Sequence, residues 1–362
     1  MKVAFIVRST LFTVKGGDTI QVEETARHLR KLGVEVDIIK ANEKIYYASY
    51  SLLHFFNIIR PADILVHIKR SGKPFVVSTI LVDYTAYDKQ QRGGMAGKLF
   101  SILSPGRIEY LKTVYRSLRR QDPLVSISYL WKGHQRSIQE ILEKASAVFV
   151  HAIEEYHELV RSYKVAPPFA VIQNGINTEL FKPSIAIGKE TNLVLCVARI
   201  EGIKNQYNLI RALNNSPYKL VLIGDASPNQ KEYYRQCKKI AARNISFIDH
   251  LPQAQLVDHY AAAKVHILPS FFEVCGLSSM EAAAMGCRVV ITNNGYARSY
   301  FEDAAFYCDP AQPATILQAV ENAITADTNG ELQHHVILNY DWQNTAKKTL
   351  SAYKKYIREC GH

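Results

Sequence analysis

The chain has 362 residues, 48 % of them hydrophobic, and since single cores stop growing near ~250 to 300 residues, two domains are expected. A formal net charge of +11 suits phosphorylated substrates, anionic lipid or nucleic acid without choosing among them. Six scattered cysteines, with no C-x-x-C spacing and no His cluster beside them, exclude a disulfide framework and a structural zinc and point to a reducing cytoplasm. The opening apolar run is too short for a signal sequence, and none approaches the ~18 residues of a membrane span.

Residues 2–8 read as a strand, 16–19 as a glycine loop, 20–32 as a helix and 34–39 as a second strand. In the helix Val22, Ala26, Leu29 and Leu32 recur at helical spacing, and Gly33 is its stop. Gly16 and Gly17 let the backbone approach a ligand, although they lack the G-x-G-x-x-G spacing of dinucleotide binders. Residues 63–69 and 75–81 read as further buried strands, so the alternation implies a parallel sheet. Residues 84–136 break the pattern by interleaving apolar side chains such as Tyr115 and Trp131 with Lys112, Arg116, Arg119 and Arg120. Such a segment either lies in the headgroup plane of an anionic membrane or forms an ordinary helix pair with solvated charges. Residues 147–151 are a strand, 154–163 a helix, and Pro167-Pro168 marks a domain boundary.

The second half repeats the architecture. Strands are expected at 193–198, 219–224, 245–247, 265–268, 289–291 and 304–308, helices at 206–213, 230–242 and 314–324, and a final helix at 341–356. The division is therefore 1–168, 169–340 and a terminal segment 341–362. Ligands of such sheets sit at the carboxyl ends of the strands, where Gly17, Arg199, Gly224 and Glu273 would gather.

Residues 269–284 form a strand-loop-helix junction on which this second half centres. Gly276, Ser278 and Ser279 fall in the first helical turn, where free N–H groups and the positive end of the helix dipole suit a phosphate. Glu273 in the loop and Glu281 in the helix flank that position and can accept hydrogen bonds from sugar and ribose hydroxyls. Read singly, they are a loop charge and a solvated helix residue. Arg199 and Lys204, between another strand and helix, offer a planar fork and a point charge to a departing diphosphate. With them no divalent metal is required, and the chain has no Asp-x-Asp pair to hold one.

From Glu273 to Glu281 the string resembles the E-x7-E signature of family 4, the retaining, nucleotide-sugar-dependent glycosyltransferases of bacterial polysaccharide and glycolipid synthesis. Asn174-Gly175-Ile176-Asn177 with Phe181 resembles the N-G-(I/V)-(D/N) turn at that family's domain junction, and Arg199 with Lys204 matches its diphosphate pair. The resemblance implies an α/β GT-B fold, two Rossmann-like domains facing a central cleft, with the C-terminal helix returning to the first domain. Acceptor would bind the first domain and nucleotide sugar the second. It implies catalytic roles for Arg199, Lys204 and Glu273, and donor contacts from Gly17, Gly224, Glu273, Val274, Cys275, Gly276, Leu277 and Glu281. It further implies metal-independent transfer with retention, from a UDP-sugar or GDP-sugar to a glycan or lipid-linked acceptor, with no cofactor. The setting would be cytoplasmic, peripheral on the inner face of an anionic membrane.

Many relatives carry a His just after the strand at 75–84. Here the nearest polar substitutes are Asp83 and Tyr84, which with Asn174 are the expected sugar or acceptor contacts; Asp83 serves equally as a cap for the next segment. A non-catalytic sugar-nucleotide-binding subunit and a sugar-nucleotide epimerase of the same architecture are the alternatives. A nucleic-acid binder is set aside, because the chain has neither a helix-turn-helix pattern nor an RNP-like string.

Overall fold

A computed structural model describes residues 1–82, 105–119, 126–182, 188–327 and 330–359. They fall into two compact units: one holds Met1–Leu81, the described residues from 105 to 174 and those from Trp342 onward, and the other holds Val82 and the described residues of Gly175–Asp341.

In the first unit the elements run β1 (Lys2–Val7), α1 (Gly17–Lys31), β2 (Glu35–Lys40), β3 (Leu52–Phe56), α2 (Pro61–Ser71), β4 (Phe75–Ser78), α3 (Pro105–Leu118), α4 (Ser128–Lys144), β5 (Ala147–Val150), α5 (Ile153–Tyr163) and β6 (Phe169–Val171). The six strands form one parallel sheet in the order β2-β1-β3-β4-β5-β6. Its strands are near-continuous apolar runs because helices cover both faces, and a separate hydrophobic cluster lies on each.

Two local readings are corrected. Residues 63–69 are helix, not strand: Pro61 occupies the first turn, where its missing N–H costs nothing, and Gly72 at φ 59° ends the helix. The polar residues of that run are satisfied inside it, Asp63 by Arg60 at 2.7 Å and His67 by the Tyr47 hydroxyl at 2.8 Å and the Ala41 carbonyl at 2.9 Å. The strand beside β1 is instead β3, all five residues of which are buried. At the far edge β6 pairs with β5, so the first unit runs past Pro168 to Asn174.

The last helix, α13 (Trp342–Glu359), returns to this unit and packs on α1. Ala346, Ala352, Tyr353 and Tyr356 enter the cluster that also holds Val3, Phe5, Val22 and Leu29. The Tyr353 hydroxyl meets His54 Nδ1 at 2.6 Å, and His54 Nε2 meets Ser78 Oγ at 2.8 Å. Burial pushes the His54 pKa down to about 3, so the ring is neutral in this chain of buried bonds.

The second unit contains β7 (Glu190–Val197), α6 (Gln206–Leu213), β8 (Lys219–Ile223), α7 (Lys231–Ile240), β9 (Ile245–Ile248), α8 (Gln253–Ala262), β10 (Ala263–Leu268), α9 (Leu277–Ala284), β11 (Arg288–Thr292), α10 (Arg298–Phe301), β12 (Phe306–Cys308), α11 (Pro313–Thr325) and α12 (Glu331–Asn339). Its parallel sheet has the order β12-β11-β10-β7-β8-β9, which places β10 and β7 side by side at the centre. The loops that follow these two strands carry Glu273 and Lys204.

Candidate active site

β10 ends at Leu268 and α9 starts after Gly276, whose φ of 65° is the left-handed turn that glycine takes without strain. Ser279 and Met280 bond back to the Gly276 carbonyl at 2.8 and 3.0 Å, so the N–H groups of Leu277 and Ser278 precede the first intrahelical bond. The Glu273 backbone is clamped against the loop after β11. Its N–H donates to Asn294 O at 3.2 Å, and Tyr296 N–H donates to Glu273 O at 2.8 Å. Gly295 lies between these bonds at φ 104°, and a β-carbon there would stand 2.1 Å from Glu273 O.

The loop after β7 is fastened to the same place. Lys204 closes a single 3-10 turn, Gly202–Lys204, and Asn205 follows at φ 62°, a conformation asparagine tolerates. Asn205 Nδ2 donates to Pro269 O at 3.0 Å and Pro310 O at 2.7 Å, and Phe271 N–H donates to Ile203 O at 2.8 Å. These bonds bring Lys204 Nζ onto Glu273 Oε1, which also accepts from Ser270 Oγ at 2.8 Å. Glu273 is only 7 % exposed. The Lys204 side chain is 23 % exposed and that of Arg199 41 %, so the two cations are not equivalent. Arg199 reaches Glu201 Oε1 at 2.8 Å, and Glu201 Oε2 accepts from Ser227 Oγ at 2.7 Å. Beneath Arg199, Gly224 sits at φ 148° where a β-carbon would meet Ala198 O at 2.1 Å, so its place is set by the close passage of two backbones.

Glu281 is not the solvated helix residue that its spacing alone allows. It is buried, accepting from Gln253 Nε2 at 2.7 Å and the Tyr260 hydroxyl at 3.0 Å, both on α8. Burial lifts its carboxyl pKa to about 7 against the lowering effect of those two bonds. Of the intervening residues Cys275 is buried, and Val274 and Leu277 are half-buried. The site thus gathers Lys204, Glu273, Ser270 and the start of α9, with Glu281 facing α8.

Ser270, Asn205 and Gly295 were not singled out by sequence as fastening this site; the Asn-Gly pair after β11 is the signal that could have pointed to Gly295. In the first unit Gly17 opens α1 behind an extended Gly16, whose N–H donates to Thr19 Oγ1 at 3.1 Å. Asn174 is buried at the end of that unit. Asp83 and Tyr84 lie outside the described residues. Among the described residues no three His, Cys, Asp or Glu side chains gather as a metal ion would need, and no helix is long and apolar enough to cross a membrane.

Two six-stranded parallel sheets in separate units, with a last helix returning to the first, define the GT-B class of two-domain α/β proteins. Residues 177–341 match the family described as Glycosyl transferases group 1. Among curated proteins, D-inositol 3-phosphate glycosyltransferase of Corynebacterium diphtheriae is 28 % identical over 246 residues, covering 59 % of this chain and 57 % of that protein. The same enzyme of Corynebacterium glutamicum is 24 % identical over 327 residues, 77 % of this chain and 76 % of that one. Sucrose-phosphate synthase from Thermosynechococcus elongatus superposes with a TM-score of 0.76 at 17 % identity, over 99 % of this chain and 100 % of that one. Anabaena HepE, solved with UDP, gives 0.69 at 18 % identity over 98 % and 100 %.

Proposed function

We propose that the chain is a glycosyltransferase that moves a sugar from a nucleoside diphosphate sugar to a glycan or lipid-linked acceptor, retaining the anomeric configuration and needing no divalent metal. The reading is carried by the Lys204–Glu273 pair, fastened by the Phe271–Ile203 and Asn205–Pro269 bonds beside the start of α9. As the bond from the anomeric carbon to the diphosphate breaks, the acceptor hydroxyl oxygen bonds that carbon on the same face, and its proton passes to the departing phosphate oxygen. Lys204 supplies a point charge to that phosphate, Arg199 a fork, and the first turn of α9 backbone donors. Glu273 orients donor-sugar hydroxyls. Each Glu281 oxygen retains a lone pair beyond the bond from Gln253 or Tyr260, enough to accept a ribose hydroxyl.

HepE is solved with UDP and with UDP-glucose, so UDP-sugars are the first donors to test, followed by GDP-sugars. The curated relatives' name adds inositol 3-phosphate to the acceptors worth assaying. The partner surface is the exposed apolar rim of α3 and α4. Tyr115, Ile127 and Trp131 are exposed, the last 88 %, and the Arg119 guanidinium lies 5.4 Å over the Tyr115 ring, a combination that suits the anionic inner face of a cytoplasmic membrane.

Thermal shift against UDP-, GDP-, ADP- and CDP-sugars tests the donor. One nucleotide class should stabilise the fold by about 2.7 kcal/mol at ~100 times its dissociation constant, and turnover with it should survive EDTA. The proposal fails if no nucleotide stabilises the protein, or if chelation abolishes turnover and Mg²⁺ or Mn²⁺ restores it.

A further inference from the structure

A second buried polar network lies in the first unit at the carboxyl ends of β4 and β5, and the mechanism above does not use it. Glu155, on α5, is fully buried. Its Oε1 accepts from the Thr79 hydroxyl and, at 2.8 Å, from Leu81 N–H. Its Oε2 accepts from His151 N–H at 2.6 Å and meets His151 Nδ1 at 3.1 Å. His151 Nε2 in turn meets Gln21 Nε2 of α1 at 3.2 Å. Burial pushes the Glu155 carboxyl up, but His151 and the bonds from Thr79 and Leu81 outweigh it and hold the group below its ordinary range.

Between the two residues gripped by Oε1 sits Ile80, at φ 45°. A β-branched residue in the left-handed region is a genuine outlier, persisting only where its surroundings over-determine it. Here they do: Thr79 N–H donates to Phe149 O at 3.0 Å, Ile58 N–H donates to Thr79 O at 2.9 Å, and Glu155 holds both sides of Ile80. Stability alone does not call for this arrangement. A glycine would make the turn without strain, and an apolar side chain at 155 would fill the core without a buried charge. Strained residues collect at functional sites, and in parallel α/β sheets those sites lie at the carboxyl ends of strands.

We propose that Glu155 is a positioning residue: gripping Thr79 and Leu81, it holds Ile80 in its left-handed turn and so fixes the carboxyl end of β4, the end at which parallel sheets meet their ligands. This rests on reading the chain as a glycosyltransferase.

The test compares the full chain with Glu155→Gln, Glu155→Ala and the double variant Glu155→Ala/Ile80→Gly. In Glu155→Ala the Leu81 amide should exchange with solvent much faster than in wild type, and kcat should fall by on the order of 10²-fold, as for a ~1 Å misplacement. UDP affinity by calorimetry should stay within about twofold, since Lys204, Glu273 and Glu281 are in the other unit, and Glu155→Gln should lose less. Glycine takes positive φ freely, so adding Ile80→Gly should return about tenfold of the lost kcat, which a merely structural role for Glu155 would not allow. If Glu155→Ala does not fold, Glu155→Gln carries the exchange and rate comparisons. A Leu81 amide as protected as in wild type, a kcat within about twofold in the Glu155 variants, or no recovery on adding Ile80→Gly each overturns the proposal. A wild-type protein with neither UDP binding nor turnover overturns the glycosyltransferase reading instead, and Leu81 exchange then judges the clamp alone.

Discussion

Gly295→Ala is the substitution whose effect follows most directly from the geometry. Its β-carbon would stand 2.1 Å from Glu273 O and 2.9 Å from Glu273 C and N, where real contacts essentially never fall below 3.0 Å. Relief requires the Glu273 backbone to retreat by about 1 Å, in an interior packed too densely to give that freely. Overpacking costs about 1–3 kcal/mol and a non-glycine residue at a φ of 104° adds a similar amount. For a unit of this size the melting temperature should therefore fall by on the order of 10 °C. The same retreat draws Glu273 away from Lys204, and a displacement of that size lowers turnover by about 10²-fold. Scanning calorimetry and initial rates measure the two effects. Gly33→Ala separates them: at φ 79°, with nothing within 4 Å of its β-carbon, it carries the conformational cost without the clash. If Gly295→Ala melts within about 1 °C of Gly33→Ala and turns over within about twofold of wild type, the clamp does not position Glu273.

Arg199→Ala and Lys204→Ala should each cut turnover roughly ten- to a thousandfold, but only the second should destabilise, by about 1–3 kcal/mol, because it strips a partner from the buried Glu273 carboxylate. Equal melting temperatures for the two variants, or turnover within about twofold of wild type for both, would contradict the site. Glu281, with a carboxyl pKa raised to about 7 from 4.5, favours the folded state most below pH 4.5, and this contribution is lost as pH rises through 7. Wild type should lose on the order of 3 kcal/mol across that window and Glu281→Gln should not; parallel pH profiles would refute the assignment. The protein should sediment with vesicles of anionic lipid at low salt and be released at high salt. Replacing Arg116, Arg119 and Trp131 together with Ser should weaken that binding, and wild type that ignores such vesicles at low salt would refute it.

Most of the fold was legible because buried parallel strands are apolar runs punctuated by glycine, and because Glu273, Gly276 and Glu281 lie in one continuous stretch. The run Asp-Ile-Leu-Val-His-Ile-Lys misleads because Asp63 and His67 are buried and paired, leaving the helix no polar face to announce itself; Pro61 and Gly72 were the better guides. β3 was passed over because His54 interrupts it, and the partner that makes that histidine acceptable is Tyr353, 299 residues away. Glu155 escaped notice for a similar reason: its value depends on Thr79 and Leu81, brought beside it by the pairing of β4 with β5. Spacing within one element is written in the sequence, whereas the register between distant elements is not.

The return of α13 also has a consequence for how the chain is made. During synthesis Gly175–Asp341 emerges as one continuous stretch holding everything its own core requires. The earlier unit must wait for Ala346, Ala352, Tyr353 and Tyr356, so its sheet stays open on the α1 side until these residues have left the ribosome. The usual order, in which the amino-terminal domain finishes first, is thereby reversed. A fragment ending at Asn174 would lack the same wall, and it should form a soluble, cooperatively folded body only when α13 is supplied with it.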